Sequence, residues 1–122
     1  PYVVQDIEGY RSEDLVHPEP TPIVGLDSYA LTVVRQGMRQ TVTSGSARSL
    51  STLSQAVAGK TGTAQTPGDK PYHSWFTGFG PYEDPTIALV VLIEEGGEST
   101  DAAVPLAKQI LDWWFRYGDD TD

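Results

Sequence analysis

Apolar positions along the chain change period several times, and each change marks an element. Ala30, Val33, Val34, Gly37, Met38 and Thr41 recur at helical spacing, while Arg35 and Arg39 fall on another face. That spacing predicts a core-facing helix ending before Gly45. It starts near Asp27 or Ser28, since either side chain can accept the free N–H groups of a first turn. A strand is expected over residues 55–65, where small side chains dominate and leave room for a ligand's backbone to lie close. Pro67-Gly68-Asp69-Lys70-Pro71 makes a turn, and residues 73–79 read as a second strand. After the turn Pro81-Tyr82-Glu83-Asp84-Pro85, residues 86–94 read as a third strand. It is apolar at every position from Ile87 to Ile93, a pattern that points to burial on both faces. Turns this short cannot hold crossover helices, so the strands should form an antiparallel meander.

Gly96-Gly97 close the sheet, and Ser99, Thr100 or Asp101 is expected to cap a last helix. Pro105 fits only a first turn, which starts that helix near Val104. Ala103, Leu106, Ala107, Ile110, Leu111 and Trp114 make an apolar stripe expected to lie on the sheet. Residues 2–8 allow a short strand, but Pro18, Pro20 and Pro22 forbid both helix and ladder beyond it. Residues 1–26 therefore read as an extended connector, 27–117 as the folded unit, and 118–122 as an acidic tail without fixed structure. The fold class expected is α+β: a three-strand antiparallel sheet packed against helices.

Composition limits the function. The 39% hydrophobic and 20% charged residues describe an ordinary folded chain. A net charge of -9 disfavours nucleic acid, whose phosphates need basic patches. With no cysteine, disulfides and thiolate metal sites are excluded, and no metal or cofactor is expected. No apolar run approaches the roughly 18 residues of a membrane span. Pro1-Tyr2-Val3-Val4 carries no basic leader, so the start reads as internal to a longer protein.

The candidate chemistry lies in Ala58-Gly59-Lys60-Thr61-Gly62-Thr63-Ala64-Gln65. On a strand, Thr61 and Thr63 project together and Lys60 points to the other side, unless a bend at Gly62 brings it back. Gly59-Lys60-Thr61 also matches the end of a phosphate-binding loop, but the first glycine that loop requires is Ser54 here, and the nucleotide reading fails. His17 and His73 are lone histidines, more often surface or packing residues than ligands. Glu83-Asp84 and Glu94-Glu95 read as solvated charge, and Trp75, Trp113 and Trp114 as packing residues.

Lys-Thr-Gly alone is a weak signal. It gains force from His73-Ser74-Trp75-Phe76-Thr77-Gly78-Phe79-Gly80-Pro81, from the apolar third strand, and from Gly37-Met38 and Gly45-Ser46-Ala47 upstream. Together these resemble the C-terminal part of class B, monofunctional penicillin-binding proteins of cell elongation, over roughly Leu26 to Tyr117. At Ser46 the family carries threonine. The resemblance implies the serine β-lactamase and penicillin-binding transpeptidase fold. It also implies D,D-transpeptidase activity, which cross-links stem peptides ending in D-Ala-D-Ala by serine acyl transfer and is blocked by β-lactams.

It assigns the Thr61 and Thr63 hydroxyls to the substrate carboxylate, the Thr63 N–H to the oxyanion hole, and Lys60 to positive potential and proton transfer. Gly62 belongs to the same catalytic motif. Gln65 and His73 become substrate contacts, His73 at the cleft mouth. The parent would be membrane-anchored, with this domain on the extracytoplasmic face. Two family motifs are missing. Lys60, Lys70 and Lys108 are preceded three positions earlier by Val57, Pro67 and Pro105, so no Ser-x-x-Lys exists; without asparagine there is no Ser-x-Asn. The chain by itself is expected to be inactive. In complete members the strand matching 86–94 pairs with an N-terminal strand, so its edge calls for the rest of the domain or a second copy. The rival readings are a non-catalytic binding module or pseudoenzyme fragment, and a β-lactamase or β-lactam sensor of the same fold.

Overall fold

The structure, a computed structural model, describes residues 24–118; most of the expected connector and the acidic residues from Asp119 on lie outside them. Helix α1 spans Ser28–Thr43. Asp27 stays extended and its Oδ1 accepts the Ala30 N–H at 2.8 Å, the cap that the sequence predicts. The helix ends where Ser44 and Gly45 both return N–H groups to Gln40 O. A Cβ at Gly45 would stand 2.8 Å from Thr41 Cα, so only glycine lets the chain fold back this tightly. A single 3-10 turn, Arg48–Thr52, follows and buries Leu50. It carries too few residues to register as a period.

The inward face of α1 is not the predicted one. Ala30, Val33, Val34 and Gly37 are exposed, while Arg35 and Arg39 turn inward and Val42 is wholly buried. Arg35 Nη2 donates to Tyr82 O at 2.6 Å, and its guanidinium lies 5.1 Å from the Phe79 ring centre. Arg39 Nη1 donates to Val57 O at 2.8 Å. A guanidinium serves here as both packing plate and fork of donors, which a binary apolar pattern cannot register.

Strands β1 (Ala58–Ala64), β2 (His73–Gly80) and β3 (Ile87–Ile93) form one antiparallel sheet in the order β1-β2-β3. The meander is as expected, each strand within a few residues of its predicted bounds. Burial in β2 alternates strictly from Ser74 to Gly80, with Ser74, Phe76, Gly78 and Gly80 inside. Register pairs Thr63 with Ser74 and Thr61 with Phe76, so all four side chains share the inner face.

β3 departs from expectation. Val91 is buried, but Ala88, Val90 and Leu92 are exposed, Val90 to 66%. Only one face of the strand is covered among the described residues, and its outer edge has no strand beside it. An unbroken apolar run states what a strand needs; it does not supply the cover.

Helix α2 (Ala103–Tyr117) crosses the inner face of β2 and β3. It buries Ala103, Val104, Ala107 and Leu111, whereas Leu106 and Ile110 of the predicted stripe remain exposed. None of Ser99, Thr100 and Asp101 caps it. The cap position is Ala102, without a side-chain bond, and the Ala103 N–H is instead accepted by Ser74 Oγ of β2 at 3.0 Å. Val42, Ala47, Leu50, Val57, Phe76, Val91 and the inner residues of α2 make one core, with Phe115 and Ile93 packed on it.

Candidate functional site

β1 ends the sheet on the side opposite β3, and its one strand partner among the described residues is β2. Alternate backbone N–H and C=O groups of β1 therefore face away from the ladder. Thr61 and Thr63 stand together on the inner side of the pleat, as predicted. Each meets a serine from a neighbouring element. Thr61 Oγ1 lies 2.7 Å from Ser46 Oγ, in the turn between α1 and the 3-10 helix. Thr63 Oγ1 lies 3.4 Å from Ser99 Oγ, in the loop leading to α2, where Ser99 is only 5% exposed.

Lys60 is exposed on the opposite side of the pleat, across from Thr77. No bend at Gly62 returns it: β1 runs through Gly62, which pairs with Trp75. The long side chain reaches back by itself, and Lys60 Nζ donates to Thr61 O at 2.5 Å. The ammonium and both hydroxyls thus sit along one tetrapeptide. The hydroxyls lie on one side of an open rim and the ammonium is held at the Thr61 carbonyl; no enclosed pocket forms among the described residues.

Gly59 plays a different part from the one its place in the octet suggests. It is buried, and a Cβ there would collide with the Phe76 ring. Its smallness admits a core aromatic and not a ligand. Gln65 is exposed just past the end of β1. His73 opens β2 opposite Ala64, and its Nδ1 accepts the Glu95 N–H at 3.0 Å. A neutral ring held this way carries its proton on Nε2. Glu95 adopts φ 53 to make that bond, and also pairs with Lys70 at 2.5 Å. Both ends of the pair are well exposed, so it contributes little to stability. Among the described residues no group of His, Asp and Glu is placed to hold a metal ion.

Sequence reasoning missed Ser46 and Ser99 as neighbours of the threonines. Ser46 was visible as part of Gly45-Ser46-Ala47, but the pairing spans 15 residues and that of Ser99 spans 36, which no local pattern encodes.

Residues 1–112 match the family described as the penicillin binding protein transpeptidase domain. The chain belongs to this family. It is 29% identical, over 134 aligned residues, to the peptidoglycan D,D-transpeptidase MrdA of Haemophilus influenzae, which covers 95% of the chain. The crystal structure of Pseudomonas aeruginosa PBP2 in complex with WCK 5153 is 38% identical and superposes with a TM-score of 0.71, over 82% of the chain. Helicobacter pylori PBP2, in its complex with MreC, is 31% identical with a TM-score of 0.65, over 76% of the chain and 18% of its own. The chain spans only 21% of the Haemophilus enzyme and 22% of the Pseudomonas chain. These relatives bear out the resemblance to class B penicillin-binding proteins and the fold it implied.

Proposed function

We propose that this chain forms one wall of the active site of a peptidoglycan D,D-transpeptidase. The observation that carries the reading is the placement of the Thr61 and Thr63 hydroxyls on one side of a sheet-edge strand, with the Lys60 ammonium drawn back from the other side onto the Thr61 carbonyl. A peptide ending in D-Ala-D-Ala presents a carboxylate, and two hydroxyls with a cation match that charge. In this reading the hydroxyls bind the terminal carboxylate and the Thr63 N–H is one of two oxyanion donors. Gly62 keeps the rim narrow, and Lys60 supplies positive potential toward the reacting serine. Gln65 and His73 border the substrate at the far end of the strand. The nucleophile and its base come from residues outside this chain, which has neither Ser-x-x-Lys nor Ser-x-Asn. A β-lactam would occupy the same place, through its own carboxylate.

The whole protein would work on the extracytoplasmic face of the bacterial membrane, anchored there by a segment elsewhere. Among the described residues no helix is long and apolar enough to cross a membrane. The exposed β3 edge is where the remainder of the domain would pair.

Fluorescent penicillin tests the reading. The 122-residue chain should stay unlabelled, and the intact protein that carries this segment should label at a serine. In the intact protein, Thr61→Val should slow labelling by about tenfold to a hundredfold, the range for losing a hydrogen bond to a charged group. Labelling of the intact protein that is indifferent to both Lys60→Ala and Thr61→Val would refute the assignment.

A further inference from the structure

The two threonines are not held alike. An O–H···O bond spans about 2.5 to 3.0 Å. The Thr61–Ser46 pair at 2.7 Å falls within that range, and the Thr63–Ser99 pair at 3.4 Å lies beyond it. Ser46 is also no loose surface serine. On one side of it the Gly45 N–H donates to Gln40 O at 3.0 Å; on the other the Ala47 N–H donates to Thr41 O at 3.0 Å. Ala47 itself is wholly buried, so the turn that presents Ser46 is pinned to the core.

A hydroxyl has one proton to donate and two lone pairs to receive. When Thr61 donates to a carboxylate it has no proton left for Ser46, and the 2.7 Å contact then requires Ser46 to be the donor. We propose that Ser46 is a positioning residue for Thr61. Its O–H donates to Thr61 Oγ1 and turns the Thr61 proton outward to the incoming carboxylate. Each bond in such a chain polarises the next, so the Thr61 hydroxyl becomes a better donor than a lone threonine. Ser46 never touches the substrate and takes no part in acyl transfer. This inference rests on the reading above, that Thr61 receives a carboxylate.

The test uses the intact protein carrying this segment, with benzylpenicillin and its methyl ester competing against fluorescent penicillin. The wild type should react at least about tenfold faster with the acid, because the ester offers no charge to the hydroxyls. Ser46→Ala should cut the rate with the acid by about fivefold to tenfold, the size of coupling between groups in one network. The loss should lie in the half-saturating concentration, with the limiting acylation rate and the reaction of the ester unchanged. Ser46→Thr, which keeps the hydroxyl, should restore the wild-type preference. A Ser46→Ala protein that still prefers the acid by the wild-type margin overturns the inference and leaves the transpeptidase reading standing. Equal losses with acid and ester also overturn it, because they mark a purely structural role. A wild type that reacts equally with both probes removes the carboxylate reading, and the inference with it.

Discussion

Phe76 is the largest wholly buried side chain, and two glycines make its place. A Cβ at Gly78 would stand 2.7 Å from its ring, and one at Gly59 would meet the same ring from the neighbouring strand. Overpacking of this kind costs about 1 to 3 kcal/mol. Gly59→Ala and Gly78→Ala should each lower stability by that amount in urea denaturation. Phe76→Leu, combined with Gly59→Ala, should recover part of the loss, because the smaller side chain vacates the volume the new methyl needs. The glycine of the octet that looked available to a ligand is thus committed to the core, whereas a Cβ at Gly62 would stand 3.3 Å from Trp75 Cβ, a tight approach but not a collision with a core ring. Both glycines read alike in the sequence. Only the cross-strand neighbour tells them apart.

At the scale of elements, the join between sheet and α2 depends on Ser74. Its hydroxyl is buried near the end of the central strand yet caps the helix, accepting the Ala103 N–H that no nearby side chain reaches. Next to it, Thr63 is the register partner of Ser74, and Ser99 leads into the helix. The candidate carboxylate site and the start of α2 therefore share a corner. Ser74→Ala should destabilise the chain by about 1 to 3 kcal/mol, the cost of a buried donor left unpaired. Ser74→Thr, which keeps the acceptor, should lose less. Hydrogen exchange at Ala103 is the direct measurement, and protection unchanged in Ser74→Ala would dismiss the cap. The sequence offered three hydroxyl or carboxylate residues before α2 as caps, and the helix took none of them. Capping was legible locally at Asp27, where donor and acceptor are three residues apart, and illegible at Ser74, where they are 29 apart.

For the molecule as a whole, the exposed sheet face governs association. Val90, Leu92 and Trp75 stand on the side away from α2, and among the described residues no strand pairs with the β3 edge beside them. An apolar edge strand without cover is a template for pairing. The 122-residue chain should self-associate as its concentration rises, read by sedimentation velocity, and Val90→Lys should suppress it. A monodisperse species at high concentration, with fast amide exchange along residues 87–93, would count against that expectation. The net charge of -9 opposes association, so added salt should promote it.

Periodicity and turn chemistry determined the order of the elements, the meander and the Asp27 cap, because each depends on neighbours a few positions away. The lysine-threonine motif, and with it the family, was equally local. The inward faces of α1 and α2, the duty of Gly59, and the serines that meet Thr61 and Thr63 were decided by the tertiary structure. Those facts depend on which surfaces the fold presses together. A guanidinium over Phe79 or a hydroxyl under α2 is favoured only once distant strands have brought its partner within reach.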